Sequence, residues 1–156
     1  MYIRLRRRLH NFLQRPRNQR YMLPFAWLLL GLGRALVLLL PFRVLSKLLG
    51  TEQGPHPLSS LPTSRQSLRA LEIGRTVRWA ACHTPWNSNC FAQAVASRAL
   101  LAAAGVPCVI FFGLSRDDHK GLIAHAWVTA GPIRVCGGDG FSNYTVVGCF
   151  VTQGRD

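Results

Sequence analysis

The chain has 156 residues, 49% of them hydrophobic, and a formal net charge of +13. That length suits one domain with a core, and the apolar content excludes a disordered protein. Residues 1–50 hold nine Arg, one Lys and no acid, whereas residues 51–156 hold nine basic and six acidic residues and keep only +3. The basic excess belongs to one end of the chain, which excludes nucleic-acid binding as a property of the whole fold.

In chain order, residues 1–21 read as a basic, solvated tail, with seven Arg in the first twenty positions. Such a tail suits an acidic partner or an anionic membrane surface. Residues 22–62 form a Leu-rich helical region and a linker. In "PFAWLLLGLGRALVLLLPF", only 16 residues separate Pro24 from Pro41, and Arg34 sits near the middle. A bilayer span needs about 20 apolar residues, and a central charge costs about 2.5–3.5 kcal/mol. The stretch therefore reads as a buried or membrane-surface helix, and the protein as cytoplasmic. Val44, Leu45, Leu48 and Leu49 share one helix face before Gly50 stops it. "TEQGPHPLSSLP", residues 51–62, reads as a linker without strand character.

Residues 63–156 are the expected core. Thr63 and Gln66 have capping-box spacing at the head of a helix running to about Cys82. "NSN" then offers N-cap side chains to a second helix over residues 90–104, closed by Gly105 and Pro107. Four apolar runs follow, "PCVIFFGLS", "LIAHAWVTA", "GPIRVCGG" and "YTVVGCF", the first two separated by the polar turn "SRDDHKG". Helices first and strands afterwards imply an α+β domain with an antiparallel sheet.

Cys82, Cys90, Cys108, Cys136 and Cys149 are odd in number and contain no Cys-x-x-Cys pair, so neither a disulfide scaffold nor a metal site is expected. Four of them read as small buried hydrophobes. Cys90 differs, because it opens a helix, where the dipole and unpaired N–H groups favour a thiolate. A thiolate with a neighbouring imidazole is an activated nucleophile, and a third polar group can orient the ring. The Cys90 amide can serve a developing oxyanion, with Trp86, Asn87 or Asn89 as candidates for the second donor.

Taken singly, His125 in "IAHAWV" reads as a core histidine satisfied by a backbone carbonyl, and Asp139 in "CGGDGF" as ordinary turn chemistry. Together with Cys90 they read as a nucleophile, a base and an orienting carboxylate. His119 lies in a charged turn, and His10, His56 and His83 lie in a tail, a linker and a pre-helix loop.

A Cys on a helix tip followed by His and Asp on successive strands resembles the papain/transglutaminase-like superfamily of cysteine proteases. More narrowly, "W..N.CFAQAVASRALLAAAGVPCVIFFGL", "AHAWV" and "V.GG.G...YTVV..F" resemble the bacterial lasso-peptide leader peptidases, the family of the microcin J25 processing protein. That resemblance, over roughly residues 23–151, implies a papain/transglutaminase-like core behind a helical N-terminal region. It implies a cysteine protease that removes the leader from a lasso-peptide precursor through a thioester, with Cys90 as nucleophile, His125 as base then acid and Asp139 as orienting carboxylate. Trp127 of the "AHAWV" motif joins the candidate substrate contacts. Lacking strands ahead of residue 82, the chain resembles the peptidase half of a split pair. The implied partners are a separate leader-peptide-binding protein, the precursor and an ATP-dependent lasso cyclase. With no phosphate-binding motif, no cofactor is expected, and any ATP effect is assigned to the cyclase. Transglutaminase-like acyl transfer and a non-enzymatic basic protein binding a partner or a membrane surface are the alternatives.

Overall fold

A computed structural model describes residues 16–54, 57–117, 121–138 and 140–155. Most of the Arg-rich tail, including His10, lies outside them, as do His56, the turn residues Asp118 to Lys120, and Asp139. The elements are α1 (Arg17–Leu39), α2 (Phe42–Leu48), β1 (Thr51–Gln53), α3 (Ser64–Ala81), α4 (Cys90–Ala103), β2 (Cys108–Asp117), β3 (Gly121–Ala130), β4 (Ile133–Cys136), a 3-10 turn (Gly140–Asn143) and β5 (Thr145–Thr152). The strands make one antiparallel sheet in the order β1-β5-β2-β3-β4. The expected α+β architecture, an antiparallel sheet behind helices, is what the chain forms.

Strand alternation decides which side chains meet the helices. In the β2–β3 register Ile110 lies opposite Val128 and Phe112 opposite Ala126. With Phe150 these residues join Ala70, Ile73 and Val77 of α3 and Ala94 and Leu101 of α4 in the main core. The alternate positions, Phe111 opposite Trp127 and Gly113 opposite His125, fall on the other face.

Two boundaries differ from expectation. Helix α1 begins at Arg17, seven residues before Pro24, which sits inside it. A proline removes one i→i−4 bond, and the burial of Leu23, Ala26 and Leu30 on either side keeps the helix continuous. The result is a 23-residue helix, long and apolar enough to cross a membrane by length and composition. The second difference is β1, in the segment read as a linker. Thr51 to Gln53 pair with Val151 to Cys149, and three partly polar residues are too few to display a period of two.

The capping box of α3 forms as its spacing predicts: the Gln66 amide donates to Thr63 Oγ1 at 3.3 Å, and the Thr63 amide donates to Gln66 Oε1 at 2.8 Å. Gln66 Nε2 also donates to Gly105 O at 2.9 Å, tying the start of α3 to the end of α4.

Candidate active site

The thiol half is assembled almost entirely from its own neighbourhood. Asn89 is extended (φ −65°, ψ 175°), and its side-chain oxygen accepts from the Ala92 amide at 3.0 Å. Its carbonyl accepts from the Gln93 amide at 3.1 Å. Cys90 is therefore the first residue of α4, and its amide and that of Phe91 have no hydrogen bond among the described residues. The preceding loop is held by Thr84, whose hydroxyl lies 3.1 Å from Ala81 O, 3.0 Å from Trp86 O and 2.8 Å from Ser88 Oγ. Gln93 Nε2 closes it by donating to Ser88 O at 2.9 Å. Cys90 is half-buried against the core, and Phe91 beside it meets Phe112 at 5.5 Å between ring centroids.

The imidazole half is drawn from distant parts of the chain. The His125 ring stacks on Tyr144, with centroids 4.9 Å apart, and lies 5.9 Å from the ring of Trp127. Its Nε2 is 2.6 Å from Gly137 O. A carbonyl only accepts, so Nε2 donates this bond, and in the neutral ring Nδ1 is the nitrogen with the lone pair. Two glycines make this arrangement. A Cβ on Gly113 would stand 2.7 Å from Tyr144 Cβ and 2.9 Å from the Trp127 ring. Gly137 has φ +103°, and a Cβ there would collide with Trp127 Cβ.

The halves converge at the end of β4. Cys136, its last residue, faces Ser97 of α4, and burial pushes its thiol up to about 11. Ser97, the Val128 backbone and Arg78 oppose that rise, while the nearby Cys90 adds to it. Among the described residues Ser97 Oγ is buried with no oxygen or nitrogen partner. Cys90 thus sits by Cys136, and His125 binds the carbonyl of the next residue. They approach from opposite sides: Cys90 lies against the helix-bearing face, whereas His125 shares the other face with Trp127. No thiol–imidazole hydrogen bond is formed among the described residues. Strand β4 pairs with β3 only from Val128 to Ala130, stopping short of His125.

Asn89 is where capping predicts, with its oxygen committed to Ala92. Asn87 is exposed. The Trp86 indole lies against Gly31 of α1 and 4.5 Å from the Trp27 ring, and its Nε1 is buried without a partner among the described residues. Trp127, only 5% exposed, stacks on Phe111 at 5.5 Å and sits on the His125 face rather than beside the thiol. Asp139 lies outside the described residues, and the acceptor found on His125 is the Gly137 carbonyl. His83 is satisfied at the end of α3, stacked on Trp79 at 3.9 Å with Nδ1 2.7 Å from Trp79 O.

Cys108 and Cys149 are buried as expected; burial raises both thiols, that of Cys108 to about 11. Cys82 departs from that expectation. It is the exposed C-cap of α3, one residue past the last turn that packs on the core. Sequence reasoning missed Tyr144, Gly113, Gly137, Thr84 and Gln93. The one signal available was Gly113 itself, a glycine inside an apolar strand run, which marks close approach of another group.

A family model described as Transglutaminase-like superfamily matches residues 36–149, which takes in both halves of the site. No curated protein and no solved structure matches the chain.

Proposed function

The chain belongs to the transglutaminase-like superfamily, which includes cysteine proteases and acyl transferases, and on that premise we propose that it is a thiol peptidase that removes the leader from a ribosomally made lasso-peptide precursor. The observation that carries the reading is the hydrogen bond from His125 Nε2 to Gly137 O. It leaves Nδ1 as the basic nitrogen of a ring whose other nitrogen is tied to the residue after Cys136, the thiol that Cys90 influences. That ring joins a thiol at a helix tip as the second part of a nucleophile and base pair.

In the proposed reaction Nδ1 takes the Cys90 proton, and Sγ attacks the scissile carbonyl between leader and core. The unpaired Cys90 amide donates to the oxyanion. The imidazolium then protonates the leaving amine, which becomes the N-terminus of the core peptide. Water, deprotonated by Nδ1, hydrolyses the thioester and frees the leader acid. This requires Nδ1 to reach Sγ around the edge of β3 where β4 has ended. Catalytic hydrogen bonds are often long in a free enzyme and tighten with substrate. Asp139, two residues after Gly137, is the proposed further orienting group. The proposed partners are a separate leader-binding protein and the ATP-dependent cyclase that consumes the new amine.

The test is mass spectrometry of the precursor incubated with this protein, the leader-binding protein, the cyclase and ATP. A single cut is expected, with Cys90→Ala and His125→Ala slower by roughly 10³-fold or more and Asp139→Ala slower by roughly tenfold. An adduct of the leader acyl group with an amine in place of the free acid would move the assignment to acyl transfer. Equal cleavage by Cys90→Ala, or an intact precursor with the wild type, would overturn the proposal.

A further inference from the structure

Helix α1 is apolar on two opposite sides, and the fold uses one of them. Leu23, Ala26, Leu30 and Gly33 are buried. Gly33 approaches α4 so closely that a Cβ would stand 3.2 Å from Ala92 Cα and from Ala92 O. On the far side Tyr21, Phe25, Leu28, Leu32 and Leu39 recur at i, i+4, i+7, i+11 and i+18, within a sector of about 60° at 100° per residue. They are 49–78% exposed. A helix hydrophobic all round needs apolar surroundings all round, and here the protein supplies half of them. The exposed row runs for about 27 Å, longer than the scattered apolar residues normal on a soluble surface.

Charge says what the other half is. Arg17 begins the helix, Arg43 and Lys47 follow it on α2, and all three are exposed. Residues 1–51 hold ten basic residues and no acidic one. A second copy of the chain on this face would set two such regions against each other. We propose that α1 lies in the plane of an anionic phospholipid bilayer. Tyr21, Phe25, Leu28, Leu32 and Leu39 enter the acyl boundary, and Arg17, Arg43 and Lys47 meet the headgroup phosphates. The helix lies flat rather than spanning the membrane, because its opposite side is bound into the core through Leu30 and Gly33. This surface is independent of the chemistry assigned to Cys90, and Cys90→Ala binds vesicles as the wild type does.

The test is flotation of the full chain with vesicles of phosphatidylcholine, with and without phosphatidylglycerol. The wild type floats with the anionic vesicles, binds the neutral ones roughly tenfold less or weaker still, and is released by high salt. Phe25→Asp with Leu28→Asp lowers partition by roughly tenfold or more. Both positions are exposed, so an unchanged circular dichroism melt verifies the fold. Leu58→Asp, at an 82% exposed leucine elsewhere, leaves binding unchanged. A wild type that stays in the supernatant, or a double variant that floats equally well, overturns the proposal. Resistance to alkaline carbonate would replace it with a span. A lipid-free dimer in sedimentation velocity that the double variant dissolves, with no flotation, would assign the face to a second copy.

Discussion

The thiol end and the imidazole end of the site are built by different physics. From Thr84 to Gln93 the hydrogen bonds of the loop and helix start join residues at most five apart, and the cap, the loop and the first turn of α4 follow from local residue types. His125 instead owes its placement to Gly113 on β2, Gly137 after β4 and Tyr144 before β5, which the sheet brings together from positions far apart in sequence. A locally built end tolerates a single substitution at modest cost, because its groups have solvent or each other to fall back on. An end built across strands concentrates its dependence on the residue where three chains of contact cross.

Gly113→Val breaks the imidazole end at that crossing. The added methyls must displace Tyr144 or the Trp127 ring, which costs about 3 kcal/mol and lowers the melting temperature by about 6–12 °C. Cleavage falls with it as His125 leaves its stack. Gly148 on β5 is the control, since a Cβ there meets nothing within 4 Å, and Gly148→Ala leaves the melt unchanged. Equal melting of Gly113→Val and wild type would show that the aromatic stack does not position His125.

Cys136, between the two ends, sharpens the comparison through pH. Its thiol is raised from 9.0 to about 11 by burial, so on unfolding it ionises at lower pH than it does in the fold. The folded chain holds the extra proton between those values, and its stability is full below pH 9 and falls as pH rises towards 11. The slope is about 1.4 kcal/mol per pH unit, and Cys108 adds a similar share for the same reason. Denaturant melts across pH 8–11 should show this fall, with the slope reduced in Cys136→Ala and the shares of Cys108 and Cys149 kept. An unchanged slope would mean that water reaches the thiol and the ends are not sealed from each other.

The same division sets what was legible in the sequence. The cap at Asn89, the capping box at Thr63 and Gln66, and the four strand runs announce themselves through neighbours within a few residues, and all of them form. Helix α1 begins at Arg17, inside the segment read as a solvated tail, because tertiary burial of Leu23, Ala26 and Leu30 carries the helix through Pro24. Strand β1 was invisible because its three residues take their conformation from β5. His125 and Cys90 could be singled out by type and order, but not their arrival from opposite faces. That depends on the parity of a register that only the β2–β3 pairing sets. The Gly137 carbonyl was illegible for a plainer reason: every residue has one, so no sequence marks it.

Asn89 gives the smallest effect and separates architecture from chemistry at the thiol end. Asn89→Ala leaves the Ala92 amide without its acceptor and costs about 1 kcal/mol, a fall of about 2–4 °C in melting temperature. Asn89→Asp keeps an N-cap acceptor and adds a charge that suits the helix dipole, so its melt is at least that of the wild type. Beside a developing thiolate the same carboxylate is repulsive, and it slows cleavage several-fold at neutral pH. A variant that is as stable as the wild type but slower separates the two roles, because capping alone predicts no loss of rate. If Asn89→Asp cleaves as fast as the wild type, negative charge at the tip of α4 is irrelevant to the reaction, and Cys90 does not act there as a thiolate.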